Sequence, residues 1–229
     1  MLSCTSERDE CFFLDNTTST KVESVEPFTH FYSHLEGNYI FKQGEKHQIE
    51  ISDEKRYVDS LRINTSHGLL NLKNHMPHCS SSVPFSIVVT VPELHHISIL
   101  RKSEVQIDDF INQDDLSIDL TDNSQLELNT LSGLKRLSIA MSQNARIKSI
   151  QPFSPLEELT INIEGNGHFK GYTIPAKEVS INIEGKGYCE VNSIEKLNVV
   201  ILGDANVISK GTPSLYKRIT GKGDVHFTD

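Results

Sequence analysis

One stretch of the chain recurs almost residue for residue. Leu159-Thr160-Ile161-Asn162-Ile163-Glu164-Gly165-Asn166-Gly167-His168-Phe169 returns as Val179-Ser180-Ile181-Asn182-Ile183-Glu184-Gly185-Lys186-Gly187-Tyr188-Cys189. Leu197 to Val207 is a third copy, and Ile219-Thr220-Gly221-Lys222-Gly223-Asp224-Val225 closes the series. Weaker copies run from Leu116 to Leu126 and from Leu137 to Ile147, and another starts at Ile97. The first small turn position falls at Arg101, Asp122, Gln143, Gly165, Gly185, Gly203 and Gly221, giving separations of 21, 21, 22, 20, 18 and 18.

Within each copy the apolar residues alternate, which is the period of a strand and not of a helix. A leucine-rich repeat of this length would carry an Asn at a fixed point and a helical half, and neither is present. Strands joined by short turns, repeated about every 20 residues, describe a solenoid in which each repeat is one coil resting on its neighbours. The chain therefore reads as all-β: a right-handed parallel β-helix of about seven coils, preceded by additional N-terminal strands.

Alternation also assigns the inward columns. One holds Ile97, Ile118, Ile139, Ile161, Ile181 and Val199, with Lys217 breaking it at the last coil. The next holds Ile99, Leu120, Met141, Ile163, Ile183, Ile201 and Ile219. After the turn come Val105, Leu126, Ile147, Phe169, Cys189, Val207 and Val225. Cys189 shares a column with Ile, Val and Phe, so it reads as a small buried hydrophobe and not as a nucleophile.

Ahead of the coils the pattern is looser. Residues 1–26 are rich in Ser, Thr, Asp and Glu and read as a flexible tether. Residues 27–91 carry short alternating runs, Asn38 to Lys42, His47 to Ile51, Leu61 to Ile63, Leu69 to Lys73 and Val83 to Val91, which read as strands whose Gly turns suit hairpins. They would cap or start the solenoid that occupies residues 92–229.

The 229 residues carry a formal net charge of −9, the wrong sign for a nucleic-acid partner. No apolar run approaches the roughly 18 residues needed to span a bilayer. Cys4, Cys11, Cys79 and Cys189 form no CxxC pair and no zinc spacing. Met1-Leu2-Ser3-Cys4 is similar to the end of a bacterial lipoprotein signal, in which Cys4 would be lipidated and tether the protein to a membrane. It equally fits an ordinary cytoplasmic N-terminus that contains a cysteine.

The Gly-x-Gly-x-apolar coils ending in Thr220-Gly221-Lys222-Gly223-Asp224-Val225 resemble the bacterial head-GIN-domain family, also called putative auto-transporter adhesins. Leu35-Glu36-Gly37-Asn38-Tyr39-Ile40-Phe41-Lys42-Gln43-Gly44 resembles that family's opening strands, and Val89-Thr90-Val91-Pro92-Glu93-Leu94 its link into the coils. The likeness covers about residues 28–229. It implies a β-helical fold and an exported protein of the periplasm, outer membrane or cell surface, mostly in Bacteroidetes-type bacteria, and it supplies no catalytic residues. The chain departs from the pattern at the early turns, where Asp122, Ser124, Gln143 and Ala145 replace glycines, so looser corners are expected there.

Several side chains are candidates for chemistry. Ser117, Ser138, Thr160, Ser180 and Asn198 form one outward ladder, and Asp119, Asn162 and Asn182 part of the next. Such a face can hydrogen-bond a glycan or protein, or simply stay polar to prevent sheets from stacking. Arg146-Ile147-Lys148 and Asp114-Asp115 resemble pieces of the pectin-degrading β-helix hydrolases, whose paired carboxylates act as acid and base. The Asn-Thr-Asp and Gly-His-Gly elements of that constellation are missing. His75, His78 and Cys79 place three potential metal ligands in five residues, a soft Cys with His that would suit zinc or copper, but lack an identifiable fourth, and His95 and His96 fall on opposite faces of the first coil. No motif for a cofactor or bound metal is present.

The sequence thus reads as a non-enzymatic envelope or surface β-helix, an adhesin or binding module for glycan or protein. The alternatives are a carbohydrate-active β-helix enzyme and a purely structural envelope module. The C-terminal coil, lacking a visible capping helix, is expected to be an open edge through which the protein can oligomerise.

Overall fold

The computed structural model describes residues 17–74 and 85–228. The N-terminal region contributes β1 (Thr18–Ser24), β2 (His30–Ser33), β3 (Gly37–Gln43), β4 (Gln48–Glu54), helix α1 (Lys55–Ser60), β5 (Leu61–Ser66), β6 (Leu69–Asn74) and β7 (Ser86–Val91). The coils follow as β8 (His96–Ile99), β9 (Ser103–Ile107), β10 (Asp115–Leu120), β11 (Gln125–Leu128), β12 (Arg136–Gln143), β13 (Arg146–Ser149), β14 (Leu156–Gly165), β15 (His168–Gly185), β16 (Tyr188–Gly203), β17 (Asn206–Lys210), β18 (Ser214–Thr220) and β19 (Asp224–Thr228). The long β15 and β16 each run around a corner, with register shifts between Lys170 and Pro175 and between Ala176 and Glu178.

Two parallel faces result. On the first, β8, β10, β12, β14 and the C-terminal parts of β15 and β16 stack down to β18. On the second, β9, β11, β13 and the N-terminal parts of β15 and β16 stack through β17 to β19. All three apolar columns hold. Ile97, Ile118, Ile139, Ile161, Ile181 and Val199 are successive register partners and buried throughout. From Ile97 to Lys217 the chain returns to that column six times, so the solenoid makes about six turns where the repeat markers predicted about seven coils.

The corners explain both the glycines and their early replacements. Gly185 sits at φ 125°, and a Cβ there would lie 2.5 Å from the Gly165 carbonyl oxygen in the coil beneath. The corner backbone is thus left-handed and in direct contact with its neighbour, a combination that admits only glycine. Asp122 and Gln143 occupy the same corner at φ 64° and 59°. These corners do not lose the turn with their glycines. They keep the left-handed turn with residues that carry a side chain, at smaller φ.

β2 and β3 begin the solenoid, with Phe31 registered on Ile97 and Tyr39 on Val105. Tyr39 is buried among these rings, and its hydroxyl donates to the Leu35 carbonyl at 2.6 Å beside the Ser33 hydroxyl at 2.7 Å. Beyond β2 lie β6 in parallel and β5 antiparallel to it. Beyond β3 lie β7 in parallel, then β4 and β1, both antiparallel. The reversal of strand direction closes this end of the stack. α1 adds to the closure: Glu54 accepts from the Tyr57 N–H as its N-cap, and Tyr57 and Val58 are buried, Tyr57 edge-on to Phe85.

Three expectations need correction. Residues 18–24 are not tether but strand β1, whose β-branched Thr18, Thr20 and Val22 pair along β4. None of β1 is buried, which is why it shows no hydrophobic period. The turn after Gln43 does not close a hairpin, because β3 pairs with β7 and β9 while β4 pairs with β1 and β7. The His67-Gly68 turn does join an antiparallel pair, with both residues at positive φ. α1 was unforeseen, since six residues cannot display a helical period.

Candidate functional site

The first face carries the predicted ladder. Ser117, Ser138, Thr160, Ser180 and Asn198 are consecutive register partners, as are Asn162 and Asn182. Asp119 belongs to the second column but is separated from Asn162 by Ala140. All eight side chains are at least partly exposed. Few bonds tie them down: Thr160 donates to Glu158 at 3.2 Å, and Asp119 lies 3.5 Å from the His96 Nε2. A hollow of about 350 Å³ lies on this face over Ser98, Asp119, Ala140, Ser142, Asn162 and Glu164, and Glu158, Glu178, Glu164 and Glu184 flank the ladder with negative charge.

At the corner beside it runs a ladder that the repeat also encodes. Asn144 donates its side-chain amide to Asn123 at 3.1 Å, and Asn166 to Asn144 at 3.2 Å. A stacked amide both donates and accepts along the solenoid axis, so each rung satisfies the next. The signal was the residue directly after each turn marker, which alignment by inward columns passes over. Lys186, Asp204 and Lys222 continue the position as alternating charges.

The second face is built differently. Its outward columns are Glu104, Gln125, Arg146, His168, Tyr188 and Asn206, and beside them Gln106, Glu127, Lys148, Lys170, Glu190 and Ile208. These long side chains stand up from the sheet and leave hollows between them. One of about 230 Å³ is lined by Gln125, Glu127, Arg146, Lys148, His168 and Lys170. Another of about 330 Å³ lies over Tyr39, Glu104 and Gln106. Sequence reading selected the polar ladder of the first face and missed this one, although the same alternation places its residues.

Arg146 and Lys148 are exposed on one strand of this second face, as the alternation requires. Asp114 and Asp115 are elsewhere, at the start of β10 on the first face. Asp114 pairs with Lys135 and Asp115 with Arg136, each at 2.7 Å, across to the next coil. The bond from Lys135 holds the Asp114 carboxyl below the usual carboxylate range. Both carboxylates are taken up in these ion pairs, and neither is brought to Arg146 or Lys148.

His30 registers with His96 at 5.8 Å between rings and stacks on His95 at 6.4 Å. His95 and His96 therefore approach a common neighbour and are not separated on opposite faces. Their outer nitrogens reach carboxylates, Glu93 at 2.8 Å and Asp119 at 3.5 Å. Among the described residues no group of three His, Cys, Asp or Glu side chains has the arrangement of a metal site. His75, His78 and Cys79 lie outside the described residues, as does Cys4. Cys189 is fully buried, and burial pushes its thiol well above the usual range.

Comparison with known proteins agrees with this architecture. A family model described as putative auto-transporter adhesin, head GIN domain, matches residues 27–213. A crystal structure of a putative adhesin from Bacteroides fragilis superposes with a TM-score of 0.81 at 18% identity, covering 93% of this chain and 97% of that one. A putative adhesin from Parabacteroides merdae gives 0.70 at 16% identity, covering 94% and 98%. A putative lipid binding protein from Parabacteroides distasonis gives 0.70 at 15%, also covering 94% and 98%. At these identities the solved structures speak for the fold. No curated protein matches the chain.

Proposed function

Since the chain belongs to the putative auto-transporter adhesin, head GIN domain family, we propose that it is a non-enzymatic binding module of the bacterial envelope or cell surface. In this reading the partner is a glycan or protein, and the first face meets it. The observation that carries the reading is the ladder of Ser117, Ser138, Thr160, Ser180 and Asn198. It keeps hydrogen-bonding groups exposed and largely uncommitted over successive coils. Spacing supports it too: the polar sheet presents donors and acceptors at the repeat of about 4.8 Å between strands, which suits an extended ligand. The ion-paired Asp114 and Asp115 weigh against hydrolysis.

Export is the second half of the proposal, with Cys4 as the lipid attachment site. Expression from the complete genomic reading frame, followed by fractionation and mass spectrometry, should find the protein in the envelope with acylated Cys4. An unmodified cytosolic protein would overturn it. For binding, an array of glycans and envelope extracts is probed with wild type and with a Thr160→Lys, Ser180→Lys variant. Loss of the bound species in the variant is the expected result. Unchanged binding would remove the first face from the proposal.

A further inference from the structure

The second face gathers neighbouring cations, two of which have no ion pair among the described residues. Lys148 and Lys170 are register partners on adjacent coils, and Arg146 registers with His168 beside them. Like charges opposed across parallel rungs are destabilising, so their placement calls for compensation. Glu127 compensates Lys148 through an ion pair. Arg146 has the neutral Gln125 as its neighbour on one side and His168 on the other. Lys170 has the carboxylate of Glu190 as its next register partner, which accepts a 2.6 Å hydrogen bond from the Tyr188 hydroxyl and is not ion-paired with Lys170. Among the described residues no carboxylate pairs with Arg146 or Lys170. This occurs in a chain of net charge −9.

These cations also converge. Arg146, Lys148, His168 and Lys170 line the hollow of about 230 Å³, with Gln125 and Glu127 as its acidic and amide wall. Both Arg146 and Lys170 lower the proton affinity of His168, after the effect of its partial burial, so their positive potential is felt inside the hollow. Next to it the His168 and Tyr188 rings lie 5.8 Å apart. Tyr188 is held in place by Glu190, and both rings are half-buried, offering apolar surface at the rim.

We infer that this hollow is a binding site for an acidic sugar, a uronate whose carboxylate sits between Arg146 and Lys170. A guanidinium fork and an ammonium both match a carboxylate. The ring faces of Tyr188 and His168 suit the C–H side of a pyranose, and Gln125 and Glu127 suit its hydroxyls. That combination favours a sugar acid over a bare phosphate, which would use only the charges. Successive coils lie about 4.8 Å apart, near the advance of one pyranose in an extended chain, so neighbouring sugars can follow the second face along the axis. The site is separate from the first-face ladder, and its failure would leave that reading standing.

Calorimetric titration of the intact chain with hexagalacturonate and with its fully methyl-esterified form tests the inference. The acid is expected to bind and the neutral ester to bind at least tenfold more weakly. Arg146→Gln and Lys170→Gln should each weaken the acid by about tenfold, the scale of one charged hydrogen bond. Tyr188→Ala should weaken both forms. Asn182→Ala, on the other face, should change nothing. Equal binding of acid and ester, undiminished binding by the Arg146→Gln, Lys170→Gln double variant, or absence of binding would overturn it. So would dextran sulfate or inorganic phosphate displacing the hexamer at equal concentration, since charge alone would then account for the affinity.

Discussion

Phe169 and Cys189 occupy the same inward position in successive coils, both with no exposed surface. Val207 continues the column below them. The Cys189 thiol is therefore a packing element in a position that elsewhere holds Ile, Val or Phe. Burial raises the thiol far above its ordinary range, which removes the thiolate that alkylating reagents attack. In native protein Cys189 should remain unlabelled by iodoacetamide while it labels fully in urea, as read by peptide mass spectrometry. Cys189→Ser should cost about 1–3 kcal/mol in urea unfolding, because a buried hydroxyl would replace an apolar contact.

Gly185 and Gly68 separate two roles of glycine that sequence alone merges. Both have positive φ, 125° and 74°, but a Cβ on Gly185 would strike the Gly165 oxygen, whereas nothing lies within 4 Å of one on Gly68. Gly68→Ala should cost about 1–2 kcal/mol, the cost of a left-handed residue with a Cβ. Gly185→Ala should cost clearly more, since the coil spacing must also open. Urea midpoints of the two variants, at equal m-values, check the order; equal losses would show that coil contact adds nothing.

The histidines give the protein a pH dependence of definite sign. Partial burial lowers the proton affinity of His30, and His96 and His95 lower it further. His34 and His168 are lowered by burial and by neighbouring cations, Lys73 and Arg101 in one case and Arg146 and Lys170 in the other. Each favours the neutral ring when folded, so its contribution is whole above the unfolded value near 6.5 and is lost as pH falls through the lower folded value. The melting temperature should fall between pH 7 and pH 5, and His30→Gln should reduce that fall. A variant whose melting temperature drops as steeply as wild type over this range would remove His30 from the account.

The parts of this molecule legible from sequence are those in which each residue repeats the same task. Ile161, Ile181 and Val199 declare their column because every coil needs an apolar residue there, and alternation fixes the side it faces. Legibility stops where pairing is set by distant strands. Nothing local in Gln48–Glu54 tells that it will lie antiparallel between β1 and β7. Nothing in Lys55–Ser60 announces a helix, because its six residues owe that form to the Glu54 cap and the burial of Tyr57 and Val58. The outward faces were half legible. Alternation placed every outward side chain, but where hollows form on each face depends on which ladders carry long residues beside short ones. The cation cluster further required knowing which of its members is ion-paired, as Lys148 is with Glu127.

The two ends of the solenoid differ, and the difference predicts an assembly. Antiparallel strands and α1 close the N-terminal end. At the other end, β18 and β19 are the last rungs among the described residues, and the apolar columns reach them without cover. Leu215 continues the column of Leu197, and Phe227 that of Val191 and Ser209, yet they are 38% and 48% exposed. Val225 is buried, whereas Ile219 is only partly so. Lys217 stands in place of an apolar residue above Val199, its ammonium 3.6 Å from Asp224, which puts one charge on the open core. The N-terminal end presents antiparallel edge strands that do not match this surface, so a second copy is expected to cover it tail to tail, which closes as a dimer and does not propagate. Light scattering should therefore show a concentration-dependent dimer that stops at two chains. Leu215→Lys with Phe227→Lys, both at exposed positions, should shift it to monomer while circular dichroism keeps the β signature. A wild type that stays monomeric at high concentration would show that Lys217 and Asp224 already protect the edge, and larger oligomers would contradict the closure of the N-terminal end.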